Sequence, residues 1–368
     1  MTQKQKLIEI AQVFFKLGSI AFGGPAAHIA MMQNELVSKR KWMTEDHFLD
    51  LIGATNIIPG PNSTEMTMHC GHERAGWQGL FVAGFCFIFP AVIITGLYAW
   101  LYQEYGHLPE IKPFVYGIKP AVIAIIVMAG YKLGKKAVKT KILGLLGLVA
   151  MAMALYGINE FIVLFGCGTF GVLLFFTQNE TTKLNSIIPL VVLQHPDVSK
   201  LFISFLKIGA ILYGSGYVLF AFLDNELVAN GWLTRQVLID AIAVGQITPG
   251  PVLSTATFIG WQMHGISGAL AATLGIFLPS FIFVLVLNPI IPKLQKLSAI
   301  RAFLDAVNVA AVALILAVCI VMGSESISDW KTTLIAISSL IIVFVFQKIN
   351  NVMLVFGSAI FGYLLTLL

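Results

Sequence analysis

The residues best suited to chemistry sit at two breaks in an otherwise apolar chain. Pro59-Gly60-Pro61 runs directly into Asn62, Ser63, Thr64 and Glu65. Proline fits the first turn of a helix, where its missing N–H is no loss. The run therefore predicts a helix start at which free backbone N–H groups, the helix dipole, an amide and two hydroxyls converge. That is the chemistry of holding a small anion. The other break is Gly23-Gly24-Pro25, followed by His28. The glycines permit close backbone approach and unusual dihedrals, and Pro25 is placed to start a second half-helix. The plainer alternative for Pro-Gly-Pro is a tight turn between packed helices.

Ionisable groups in such apolar surroundings are functional candidates by default. Lys16 and Lys207 would give an anion cavity positive charge, or would snorkel to an interface. Glu65 is a candidate proton carrier, with helix capping as the alternative. His28 titrates near neutral pH if accessible and is otherwise a hydrogen-bonded packing residue. Glu35 and Glu226, beside Asn34 and Asn225, read as structural or gating residues, and Glu73 and Arg74 as loop residues.

The elements that must position these groups occur twice. FKLGSIAFGG at 15–24 matches LKIGAILYGS at 206–215, pairing Lys16 with Lys207, Gly18 with Gly209 and Gly23 with Gly214. NELV recurs at 34–37 and 225–228, Trp42 pairs with Trp232, Thr44 with Thr234 and Asp50 with Asp240. Pro249-Gly250-Pro251 then meets the first Pro-Gly-Pro, and Gly71, Gly76, Gly79 and Pro90 meet Gly260, Gly265, Gly268 and Pro279. The second copy offers Ser215, Ser254 and Thr255 as further hydrogen-bond donors. It replaces Pro25 with Gly216 and His28 with Leu219, so the halves are related but not equivalent. A duplication of this extent predicts two structural repeats.

Of the 368 residues, 58% are hydrophobic and 11% charged, with mean hydropathy +0.87. Soluble domains carry about 25% charged residues, so this chain is expected to be an all-α polytopic membrane protein. Apolar segments fall at about 7–34, 77–101, 114–134, 141–157 and 159–177, then at about 200–223, 265–288, 300–322, 332–347 and 351–368. Segments 44–73 and 234–262 are broken by Pro-Gly-Pro and read as re-entrant half-helices or discontinuous helices, tolerated where protein or a water-filled cavity satisfies the backbone. The expected division is a first repeat at 1–178, a linker at 179–199 and a second repeat at 200–368.

Basic stretches at 38–41 and 135–141 and the Lys293/Lys296/Arg301 cluster fall on one side if the broken segments return to the side they entered. The loops holding Glu104, Glu110, Glu325 and Asp329 fall on the other. The positive-inside rule makes the basic side the cytoplasm, although Lys4 and Lys6 then lie outside. On this map each half crosses an odd number of times, so the copies are inverted. Inverted repeats with matching broken helices point to a secondary transporter with its site at the repeat interface. The start, MTQKQKLIEIAQVFF, lacks the pattern of a cleaved signal peptide.

Cys70, Cys86, Cys167 and Cys319 form no CxxC pair, and the HCGH run at 69–72 has no second ligand cluster, so neither a disulfide scaffold nor a metal centre is expected. There is no P-loop, GxSxG or HExxH signature. No cofactor is expected, and the charge of +5 is assigned to loops at the lipid bilayer rather than to nucleic acid. A two-fold homodimer is the common oligomer, and nothing in the sequence selects it over a monomer.

FGGPAAHI near the N-terminus, Pro-Gly-Pro some thirty residues later and a diverged second copy with its own Pro-Gly-Pro resemble the chromate transporter (CHR) family in its two-domain, long-chain form. The likeness covers essentially the whole chain. It implies an inner-membrane carrier of chromate, generally an efflux system conferring resistance, with inverted halves. Sulfate, like chromate a tetrahedral dianion, is the expected competitor or alternative substrate. The rival classes are an anion channel of the same architecture and a membrane enzyme.

Overall fold

The computed structural model describes residues 1–22, 24–106, 108–177, 197–288, 290, 297–346 and 349–368. Gly23, Lys293, Lys296 and most of the expected linker at 179–199 lie outside the described residues. The first half contains α1 (Gln3–Ile20), α2 (Pro25–Met32), α3 (Glu45–Thr55), α4 (Asn62–Tyr105), α5 (Lys112–Ala137), α6 (Lys141–Leu155) and α7 (Glu160–Thr177). The second contains α8 (Val198–Ile211), α9 (Leu219–Leu223), α10 (Arg235–Ile247), α11 (Thr255–Leu287), α12 (Ser298–Ser326), α13 (Trp330–Val345) and α14 (Asn351–Thr366). Helix for helix, the halves correspond.

Local chemistry starts these helices at matching places. Thr44 caps α3 and Thr234 caps α10, each side chain accepting from a backbone N–H three residues on. Thr140 and Asp329 do the same for α6 and α13. α2 and α9 each run on into π-type turns, Gln33–Lys39 and Asp224–Val228.

The apolar segments at about 7–34 and 200–223 are not single helices. α1 stops at Ile20 and α8 at Ile211, and the chain restarts at Pro25 and Gly216. Gly24 (φ 80°) and Gly214 (φ 91°) take backbone angles that end a right-handed helix. α4 also bends. Ala75 and Gly76 leave helical geometry, and the arm 62–74 folds back on the arm 77–105 with Gly71 against Gly79. α11 repeats this at His264 and Gly265, with Gly260 against Gly268. The missing side chains are the reason the arms approach this closely.

The long arms of α4 and α11 run antiparallel. His72 meets Asn288 near one end, Phe81 stacks on Phe281, and Gln103 accepts from the Trp261 indole at the other. α1 packs on α4 and α8 on α11. The halves also exchange partners: α5 packs on α13 and α14, while α12 packs on α6 and α7.

Among the described residues four helices are long and apolar enough to cross a membrane: Asn62–Tyr105, Lys112–Ala137, Val252–Leu287 and Ser298–Ser326. Their outer faces carry exposed apolar stripes at four-residue spacing, Phe81, Phe85, Phe89, Ile93 and Leu97 on α4 and Ile266, Leu270, Leu274, Leu278 and Ile282 on α11. Such stripes suit lipid contact and would be a liability in water. The chain is a multi-pass membrane protein.

Candidate functional site

The two Pro-Gly-Pro turns cross over between the halves. The Gly60 N–H donates to the Leu212 carbonyl (2.6 Å), and the Gly250 N–H donates to the Ala21 carbonyl (2.9 Å). Ala21 and Leu212 are the C-terminal caps of α1 and α8. Each break therefore supplies a hydrogen bond to the end of the other half's broken helix. A Cβ on Gly60 would strike the Glu65 carboxyl and Ser280, and one on Gly250 would press on Ala91 and the Gly18 carbonyl.

His28 ties the same region together. Its Nε2 lies 3.1 Å from the Ala21 carbonyl and its Nδ1 lies 3.2 Å from Ser63 Oγ. A carbonyl only accepts, so a ring with its hydrogen on Nε2 donates there and takes the Ser63 hydroxyl hydrogen on Nδ1. The ring is buried and packs edge-on against Phe87 (5.6 Å).

Beside this crossing lies a cavity of about 1050 Å³, walled by both halves. Its inner wall includes Pro25, Asn62, Ser215, Tyr217, Asn308 and Asn351. Lys132, Lys135, Lys136, Lys139 and Arg301 line it at the C-terminal end of α5 and the N-terminal end of α12. Lys139 is paired with Asp305 (2.6 Å). A cleft dominated by one sign of charge, with apolar walls, concentrates ions of the opposite sign. A second cavity of about 370 Å³, lined by Tyr116, Lys119, Asp240, Glu325 and Thr332, lies at the other ends of α5 and α12 and shares no lining residue with the first.

Of the residues singled out from sequence, Pro25, Asn62 and Ser215 line the large cavity. Gly24 is the N-cap of α2. Asn62 donates to Asn56 Oδ1 (2.9 Å), and Ser215 Oγ accepts from the Tyr217 N–H (3.3 Å). Ser254 Oγ accepts from Thr95 (3.1 Å), and Thr255 donates to the Val252 carbonyl (2.8 Å). Thr64 and Glu65 are fully buried, and neither side chain makes a hydrogen bond of normal geometry, although Ser280 lies beside the Glu65 carboxyl. Pro59, Pro61, Pro249 and Pro251 frame the crossed turns.

Lys16 and Lys207 stand elsewhere. Lys16 Nζ lies 4.0 Å from Glu35 and is more than half exposed, while Lys207 Nζ lies 2.9 Å from Glu226 and 4.5 Å from the Phe161 ring centroid. Their recurrence in both copies accompanies a recurring Lys–Glu ion pair. Glu73 and Arg74 are helical rather than loop residues, paired with His47 (3.1 Å) and Glu9 (2.8 Å). Lys135, Lys136 and Lys139 had a sequence signal, the basic stretch at 135–141 that closes α5, but that stretch also serves as a membrane-orientation signal. Asn308 carried none, being a lone amide in an apolar helix, and Asn351, next to Asn350 where α14 begins, reads as an ordinary helix-start residue.

Residues 8–172 and 199–363 each match the family model for the chromate transporter. The chain is 32% identical over 372 residues to the chromate transport protein of Cupriavidus metallidurans, covering 97% of this chain and 92% of that one. It is 33% identical over 350 residues to the probable chromate transport protein of Synechococcus elongatus, covering 91% and 89%. It is 27% identical over 376 residues to the chromate transport protein of Pseudomonas aeruginosa, covering 95% and 90%. No solved structure matches.

Proposed function

The chain belongs to the chromate transporter family, and on that premise we propose that it carries a tetrahedral oxyanion, chromate first and sulfate second, through the cavity between its halves. The carrying observation is that cavity, with its basic mouth and an inner wall of amides, a hydroxyl and the start of α2 at Pro25. A dianion would be drawn in by the lysines, then held by Asn62, Ser215, Asn308 and Asn351 and by the N-terminal dipoles of α2 and α4.

The architecture in this reading is a pair of inverted repeats, 1–178 and 200–368, joined by 179–199. The antiparallel long arms, the exchanged helix partners and the reciprocal Pro-Gly-Pro bonds support it. Two cavities at opposite ends of α5 and α12, with no shared lining, favour alternating access over an open channel. The wider one opens among basic residues, the side that the positive-inside rule assigns to the cytoplasm. Loading from there across the inner membrane is efflux, as a resistance system requires. A negative-inside potential favours that direction by roughly 2.3 kcal/mol per charge per 100 mV. Glu65, fully buried one turn beyond Asn62, is the group that couples a proton to the anion, and His28 holds the crossed turns in register.

The test is uptake of radiolabelled chromate and sulfate into inverted membrane vesicles under an imposed potential. Saturable chromate uptake inhibited by sulfate, and weakened in Asn62→Ala, is expected. Correctly inserted protein that moves neither anion would refute the reading.

A further inference from the structure

The arm 62–74 of α4 is polar on more than one face, and one such stripe joins the large cavity to two buried titratable groups. Asn62, Glu65, His69 and His72 follow one another at spacings of three, four and three, which puts them on a single helix face. The stripe runs from the cavity, which Asn62 lines, to the end of the arm, where His72 is half-buried and Glu73 exposed. Between them Glu65 and His69 are fully buried, and none of their four side-chain polar atoms makes a hydrogen bond of normal geometry, although Ser280 lies beside Glu65 and Asn288 beside His69.

Packing does not account for this stripe. A structural polar group inside a membrane protein is hydrogen-bonded, because an unmade bond there costs about as much as the group's desolvation. On the other faces of the same arm Thr67 follows that rule, donating to the Ser63 carbonyl (2.9 Å), while Thr64 is a buried exception. The matching arm of the second half, Thr255–Met263, carries no titratable side chain and folds to the same shape. The fold therefore does not need Glu65 or His69 where they are.

We propose that protons reach Glu65 along this stripe, by way of His72 and His69, on a route separate from the cavity that admits the anion. The proposal rests on the reading of Glu65 as the proton carrier. None of Glu65, His69 or His72 lines the anion's cavity. Each step spans about 5–6 Å between Cβ atoms, within reach of a swing of the His69 ring. Only a proton moves: His72 passes it to a His69 ring nitrogen, and His69 passes it to a Glu65 carboxylate oxygen. His72 first takes a proton from solvent, so that the protonated ring gives one up and returns to neutral; Asn288, 2.9 Å from Nδ1, partners the neutral ring through its NH2 and the protonated ring through its oxygen once the amide turns over.

The other titratable groups around the arm are already engaged or lie off the stripe. α1 contributes Glu9, held by Arg74 and Arg40, and α3 contributes His47, held by Glu73. α2 contributes His28, bonded to Ser63 and Ala21, and its continuation contributes Glu35 with Lys16, Lys39 and Arg40. The α8–α9 break brings Tyr213 near Glu65, and α11 offers Ser280 and Asn288.

Purified protein in liposomes tests this with three readouts: anion flux driven by a pH gradient, anion–anion exchange at equal pH, and proton movement reported by an internal dye. His69→Leu should lose pH-driven flux and proton movement while keeping exchange, and Glu65→Gln should lose the same pH-driven flux and proton movement. His69→Gln, which keeps a polar group but carries no proton at neutral pH, should match His69→Leu and separates a proton role from a packing role. A fourth readout needs no anion: the infrared carboxyl band of Glu65, identified by its loss in Glu65→Gln, should answer a pH jump in the wild type and stop answering in His69→Leu. A His69→Leu protein with wild-type proton movement and an unchanged carboxyl response overturns the relay. Failure of the wild type to move any anion, with the carboxyl response present and His69-dependent, would refute the transport reading and leave the relay standing.

Discussion

The Gly250 N–H donates to the carbonyl of Ala21 across 2.9 Å, so the second half's Pro-Gly-Pro caps the helix that breaks in the first. The mirror bond, Gly60 to Leu212, makes the same connection in reverse. Each broken helix takes part of its capping from the opposite copy.

Gly250→Ala should therefore destabilise the whole assembly rather than one loop. Gly250 sits at φ 88°, and an added Cβ would meet Ala91 at 2.9 Å. A non-glycine residue held in such a region costs about 1–3 kcal/mol. Thermal melting of the detergent-solubilised variant should show one cooperative transition at lower temperature. A melting temperature equal to that of the wild type would mean that the crossed turns do not bind the halves together.

Charge at the cavity mouth should act on capture rather than on the later steps. Replacing Lys132, Lys135 and Lys136 together by Gln removes charge that no bound anion needs for its inner contacts. KM for the anion should rise about tenfold at low salt with kcat little changed, and the difference should shrink as ionic strength approaches 1 M, where the Debye length is about 3 Å. Transport kinetics at two salt concentrations decide this; an equal loss of kcat at both would contradict steering.

Lys207 offers a choice between site charge and ion pair. Lys207→Ala leaves Glu226 half-buried beside Ser204 without its cation. The cost should be near 1 kcal/mol, since Lys207 is about one-third exposed and solvent screens the pair. The double variant Lys207→Ala/Glu226→Ala should recover melting temperature and transport together. If transport stays lost while stability returns, Lys207 serves the anion directly.

Asp329 gives a pH signature outside the membrane-spanning helices. The Tyr116 hydroxyl and the Thr332 backbone N–H, both donating to its carboxylate, hold it below the usual carboxylate range. A group whose folded pKa is depressed contributes stability above its unfolded pKa, about 4, and loses it as pH falls through the lower folded value. Asp329→Ala should cost about 1 kcal/mol at neutral pH through loss of the cap. The gap from the wild type should close as the sample is acidified below pH 4, which melts at several pH values will show.

Much of the framework was legible before any coordinates. The repeat register, with Thr44 matched to Thr234, and the breaks at Pro-Gly-Pro are properties of short stretches, carried by residue identity and dihedral restriction that act within a few residues. The long arms of α4 and α11 were legible as separate apolar segments because Gly76 and Gly265 interrupt the pattern. The splitting of 7–34 and 200–223 was harder, since apolar residues continue through both breaks and hydropathy does not register a change in φ. Lys16 and Lys207 show the limit from the other side. Their pairing across the repeat was plain, but a lysine in an apolar segment reads the same whether it faces a cavity or a glutamate nineteen residues away.

By itself the sequence determined that this is a doubled, lipid-embedded helical chain with breaks at fixed places, because composition and short-range backbone chemistry decide those things. Only the tertiary structure decided which breaks meet. The partners of Gly60 and Gly250 lie about 150 and 230 residues away along the chain, on the opposite half. Such contacts are set by how helices pack across the interface, and no local pattern in either segment records them.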